Sequence, residues 1–269
     1  MILKPAPPFS RARRRFLARA LQGLAVAGLA GLPSWAWPAA AEKAPEDFFK
    51  AWRQRQPRPA VDESDPNLFV LARLRYPAQN ATRGGWDECR AGDENILAWL
   101  RGVSNLKISN RPFAERVVAL GDSAGLGHHP FLLMTGQSDF AFTPEQAATL
   151  GEYLKRGGFL FADTSCRLGK GFHAAQSREL PRLVPGCSLL PVPGDHEMFR
   201  SGFYNDVEIN GVLTKMSEPP LGLFYRNRLV ALLTGDGFLR DCAGLERSWP
   251  RTERALKLAT NIILYSLTH

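Results

Sequence analysis

Residues 143–163 constrain the fold more than any other stretch. Thr143 is placed to cap a helix, Pro144 occupies its first position, and Gln146 closes a Thr-x-x-Gln capping box. Ala147, Leu150 and Leu154 then fall on one helical face. Gly157-Gly158 ends the helix, because glycine takes the left-handed backbone conformation at little cost. The unbroken apolar run Phe159-Leu160-Phe161-Ala162 suits a strand covered on both faces, and it delivers Asp163 to its C-terminal end. A helix feeding such a strand predicts an α/β domain with a mainly parallel sheet. The carboxyl edge of that sheet is where open α/β folds place ligand and catalytic groups.

The rest of the chain repeats this alternation from residue 67 onward. Strands are predicted over 68–76, 117–120 and 131–134, and helices over 93–103 and 252–267. A hairpin is predicted from 221–225 and 229–233, turning at Arg226-Asn227-Arg228. Residues 42–66 read as a short helix over 47–54 and an irregular linker containing Pro57-Arg58-Pro59. Residues 164–220 read as a long region rich in glycine and proline, the kind of segment that often acts as a lid.

The first 41 residues hold six basic side chains and no acidic one. Arg13-Arg14-Arg15-Phe16-Leu17 reads as R-R-x-F-L, the core of a twin-arginine export signal. Residues 20–32 form a short apolar run, and Ala39-Ala40-Ala41 supplies a small-residue cleavage site. Thirteen apolar residues followed by Pro33 and Pro38 fall short of the ~20 needed to span a bilayer. The expected organisation is a signal peptide over 1–41, a helix and linker over 42–66, and one α/β domain over 67–269. The expected localisation is the periplasm, after cleavage near Ala41. Six of the eight formal positive charges leave with the signal, so the remaining chain carries +2. That balance argues against a nucleic-acid partner. The translocase would be a transient partner during export.

Cys89, Cys166, Cys187 and Cys242 allow three disulfide pairings, and four free thiols remain an alternative. Cys166 and Cys187 flank one helix-and-loop segment. None of the four sits in a C-x-x-C zinc motif.

Several segments together resemble the bacterial domain-of-unknown-function family 4159. They are Tyr76-Pro77 with Gly85-Trp86, His129-Pro130-Phe131-Leu132-Leu133-Met134-Thr135-Gly136, and Gly157-Gly158 through Asp163. Further along are Ser177-Arg178-Glu179-Leu180, Asp195-His196-Glu197-Met198-Phe199 and Asn261-Ile262-Ile263-Leu264-Tyr265. The resemblance implies a three-layer, Rossmann-like (flavodoxin-like) fold similar to the class I glutamine amidotransferase-like superfamily, with helices on both faces of the sheet. It supplies no established activity. It also implies cell-envelope protein partners, because such genes often neighbour those of MoxR-type ATPases and von Willebrand-type proteins. Where amidotransferases carry a nucleophilic cysteine, this chain has Asp163, and Cys166 lies three residues on.

Asp163 is accordingly the leading site residue. A strand-end carboxylate is costly to bury unless paired, and Arg83, Arg167 or the Thr164 hydroxyl are candidate partners. A binding site for a small polar ligand would unite Asp163 with Trp86, His129, Gly136 and His196. In a hydrolase, Asp163 would act with His129 or His196. The alternative role for Asp163 is to cap a helix or brace a loop. A metal would draw on His128, His129, Asp163, His173, Asp195, His196 and Glu197, but no H-E-x-x-H spacing is present. No metal or cofactor is therefore predicted. The glycines at 121–127 and 169–171 match no phosphate-loop pattern and read as turns. The favoured function is a non-catalytic binding or envelope-assembly module; a hydrolase, with or without metal assistance, is the alternative.

Overall fold

The computed structural model describes residues 48–77, 85–165, 170–199, 220–235 and 237–269. The export segment, Arg83, Cys166 and Arg167 lie outside them. The chain forms an α/β fold around one seven-stranded, mostly parallel mixed sheet. Its strands are β1 (Ala72–Arg75), β2 (Val117–Ala119), β3 (Phe131–Gly136), β4 (Phe159–Thr164), β5 (Leu189–Pro191), β6 (Leu221–Tyr225) and β7 (Arg228–Thr234), in the order β2-β1-β3-β4-β7-β6-β5. The first five in that order run parallel, and the β6–β7 and β5–β6 pairs are antiparallel. β4 is the central strand of the seven.

The helices are α1 (Phe48–Arg55), α2 (Arg90–Val103), α3 (Ser123–Gly127), α4 (Pro144–Lys155), α5 (Lys170–Glu179), α6 (Phe238–Ala243) and α7 (Trp249–Thr268). Alternation along β3 and β4 sorts the core into two clusters. Phe131, Leu133, Phe159 and Phe161 pack with apolar residues of α2, α6 and α7. Leu132, Met134, Leu160 and Ala162 pack with those of α3, α4 and α5. With period two, one strand thus supplies alternate side chains to two different sets of helices.

The predicted capping box is present. Thr143 Oγ1 accepts from the Gln146 amide at 3.2 Å, and Gln146 Oε1 accepts from the Thr143 amide at 3.0 Å. Gly157 takes φ 109°, and the Gly158 amide donates to the Tyr153 carbonyl at 2.9 Å, closing the helix end. The hairpin turns tightly at Arg226 (φ 51°) and Asn227 (φ 61°), the positive pair that matches the twist of the flanking strands.

The strand predicted over 117–120 is present as β2, at one edge of the sheet. Two other expectations change. Residues 121–127 contain α3, whose start is capped by the Asp122 carboxylate accepting from the Gly125 amide at 2.8 Å. Within 164–220 stand α5 and β5, so Lys170-Gly171 opens a helix where a turn is predicted.

Candidate functional site

β3, β4 and β7 end side by side, and their register aligns Thr135, Asp163 and Thr234 across the sheet. These three residues share the face covered by α2 and α6. Asp163 has no exposed surface. Its Oδ1 accepts from the Thr234 hydroxyl at 2.6 Å and from the Phe238 amide at 3.0 Å, and its Oδ2 accepts from the Leu239 amide at 2.9 Å. Phe238 and Leu239 begin α6, after Gly237 at φ 73°. The carboxylate therefore caps α6 from another strand, satisfying amides that no residue of the helix can reach. Burial pushes the carboxyl up to about 7, while the hydroxyl and the two amides pull the other way.

A second buried polar group stands beside it. Arg73 of β1 and Asp93 of α2 form an ion pair with both side chains fully buried. Arg73 also donates to the carbonyls of Trp86 (3.2 Å) and Glu88 (3.1 Å) and to the Thr135 hydroxyl. Nearly all its donors are matched, which is what lets a guanidinium stay in a core. Cys89 precedes α2 at φ 57°, and its thiol donates to the Ser165 carbonyl at 3.5 Å. Burial first, then the carboxylates of Asp163 and Glu88, push that thiol up to about 12. It is protonated at neutral pH and a poor nucleophile. Cys89, Cys187 and Cys242 are free thiols.

The five residues expected to share a site divide between the two edges of the sheet. Trp86 and Gly136 lie at the carboxyl edge with Asp163. The Trp86 ring stacks on Phe113 at 6.2 Å and 8°. The Gly136 carbonyl accepts from the Ser165 amide at 3.1 Å and its hydroxyl at 3.2 Å. His129 precedes β3, beside the Pro130 carbonyl that accepts from Phe159, the first residue of β4. By register it lies about six strand residues below Asp163, roughly 20 Å. His196 is also at the amino edge. It stacks edge-on with Phe224 and Tyr265, and its Nδ1 accepts from the Met198 amide at 3.1 Å. Tyr265 in turn contacts Phe159 and accepts from the Leu229 amide. Burial lowers the His196 pKa. Neither histidine is brought to Asp163. His173 is at the carboxyl edge, next to Gly235. Among the described residues no three metal-ligating side chains converge.

Sequence reasoning passed over Arg73, Asp93, Thr135 and Thr234. For Arg73 a signal was present: a cation inside the apolar run 68–76 needs a buried acid nearby. The amides of Phe238 and Leu239 carry no such signal, since every residue has one.

Fold and site define an α/β domain with a buried, fully engaged acid at the carboxyl end of its central strand. The chain belongs to the family described as Domain of unknown function (DUF4159), which matches residues 70–267. No curated protein matches it. No helix among the described residues is long and apolar enough to cross a membrane.

Proposed function

We propose that this chain is an exported, periplasmic domain that serves as a non-catalytic binding or envelope-assembly module. On this reading its architecture is three-layer, Rossmann-like and similar to the glutamine amidotransferases, with a brace where those enzymes hold a nucleophile. One observation carries the non-catalytic part: both oxygens of Asp163 are engaged by the Thr234 hydroxyl and the amides that open α6. The nearby Cys89 thiol is held protonated, and His129 and His196 lie at the far edge. Export is supported by Arg13-Arg14-Arg15-Phe16-Leu17 and the small-residue site ending at Ala41. The competing hydrolase reading draws on the Asp163 pKa of about 7, in the range of a general acid–base.

Asp163→Asn separates the two. Asparagine turns its NH2 toward one of the two α6 amides, setting donor against donor. The brace predicts a loss of about 1–3 kcal/mol in chemical unfolding. Unchanged stability together with lost ligand binding or turnover contradicts it.

A further inference from the structure

Two polar side chains, one under α5 and one on its inner face, are buried with no hydrogen-bond partner among the described residues: the Thr164 hydroxyl and both amide atoms of Gln176. Thr164 is 1% exposed and Gln176 0%. Such groups are rare in folded proteins, and each asks for an explanation.

Their surroundings are shaped for closure. Thr164 ends β4 on the face of Leu160 and Ala162, which α5 covers with Phe172 and Ala175. Its neighbour on β3 is Gly136, and Gly235 follows Thr234 on β7. A Cβ at Gly136 would collide first with the Tyr76 hydroxyl and would stand 2.8 Å from the Phe172 ring; one at Gly235 would stand 3.3 Å from His173 Cδ2 and 3.5 Å from Nε2. A side chain at Gly136 would press on Tyr76 and on the first turn of α5, whereas one at Gly235 would ask only a small shift of the His173 ring. Gln176 lies one turn further along, on the same buried face as Phe172. α5 opens with an exposed Lys170 and has no acid in its first turn, and its Phe172 amide donates to the Gln137 carbonyl at 3.2 Å. Asp163, one residue before Thr164, is turned to the other face and engaged with α6.

We infer that the seam between α5 and the end of β4 binds a small carboxylate bearing an adjacent hydrogen-bond donor, an α-hydroxy or α-amino acid. This rests on the binding-module reading and gives its ligand a chemical class. The Thr164 hydroxyl and the Gln176 NH2 donate to the carboxylate. Gln176 Oε1 accepts from the adjacent hydroxyl or ammonium. The exposed Lys170 at the start of α5 supplies the positive charge. Both side chains are enclosed in this conformation, so binding is accompanied by an outward shift of α5.

Lactate, alanine, propionate and lactamide form a near-isosteric set that separates these contributions. With the purified chain, titration is followed by the melting temperature and by the imidazole signals of His173 in NMR. Lactate or alanine is expected to move both, with propionate about tenfold weaker for want of the donor and lactamide weaker still for want of the charge. Thr164→Val and Gln176→Leu remove unpartnered polar atoms at nearly constant volume, so both variants should fold with melting temperatures at or above the parent's. Thr164→Val is expected to weaken lactate about tenfold, and Gln176→Leu to erase the preference for lactate over propionate. The inference is overturned if no probe moves either readout, or if both variants bind lactate as the parent does. The second outcome with binding intact keeps the module reading and moves its site elsewhere. Failure of the module reading itself is read separately, from Asp163→Asn.

Discussion

At Asp163 two effects of opposite sign meet. Taking a carboxylate out of water favours its protonated form, and donors aimed at its oxygens favour the charged one. Burial prevails, and the pKa stands near 7, against about 4 in an unfolded chain. The native state then holds this proton more tightly than the unfolded state does. Its contribution to stability is complete below pH about 4 and is lost as pH rises through about 7. Urea titrations from pH 4 to 8 should therefore show the advantage of the parent over Asp163→Asn shrinking as pH rises. An advantage that grows with pH would mean the ionised form is the one the fold prefers. The position of Asp163 was legible because a charged residue closes an apolar run. Its role was not, since two of its three partners are backbone amides seventy-odd residues away.

Among the elements, those with local punctuation were the legible ones. α4 carries its cap, its proline and its terminal glycines in sequence, and the β6–β7 turn sits where the apolar alternation breaks. α5 lacks such marks: only Phe172, Ala175, Gln176 and Glu179 face inward, and two of those are polar. A helix that buries a glutamine and a glutamate does not show an apolar stripe. Close approach between elements is equally hidden. The Leu183 carbonyl sits where a Cβ on Gly151 would be, while Gly121 has nothing within 4 Å of that position. Gly151→Ala should destabilise by about 1–3 kcal/mol through forced separation of α4 from the turn at 180–183. Gly121→Ala should stay within about 0.5 kcal/mol of the parent. Thermal melts of the two variants compare them directly, and equal melting temperatures would contradict this packing.

For the molecule as a whole, the parallel sheet and its central β4 were readable, and the sharing of labour between the two sheet edges was not. Sequence order put His129 and His196 near the right motifs but could not say which end of a strand they occupy. Residues 48–55, expected as a helix ahead of a linker, pack on the domain itself: Phe48, Phe49 and Trp52 contact Trp249, and Trp52 also meets Trp99. The helix over 48–55 is thus part of the folded body. Replacing Arg13 and Arg14 with lysine should leave the full chain in the cytoplasm at its uncleaved size. Continued appearance of a shortened product in the periplasmic fraction would remove the twin-arginine assignment.

The most direct measurement is amide hydrogen exchange at Phe238 and Leu239, in the parent and in Asp163→Asn. If the acid is the brace of α6, both amides are strongly protected in the parent, and protection falls there first in the variant while the capped start of α4 is unaffected. Rapid exchange of these amides in the parent, or equal protection in the two proteins, would show that Asp163 does not hold the helix.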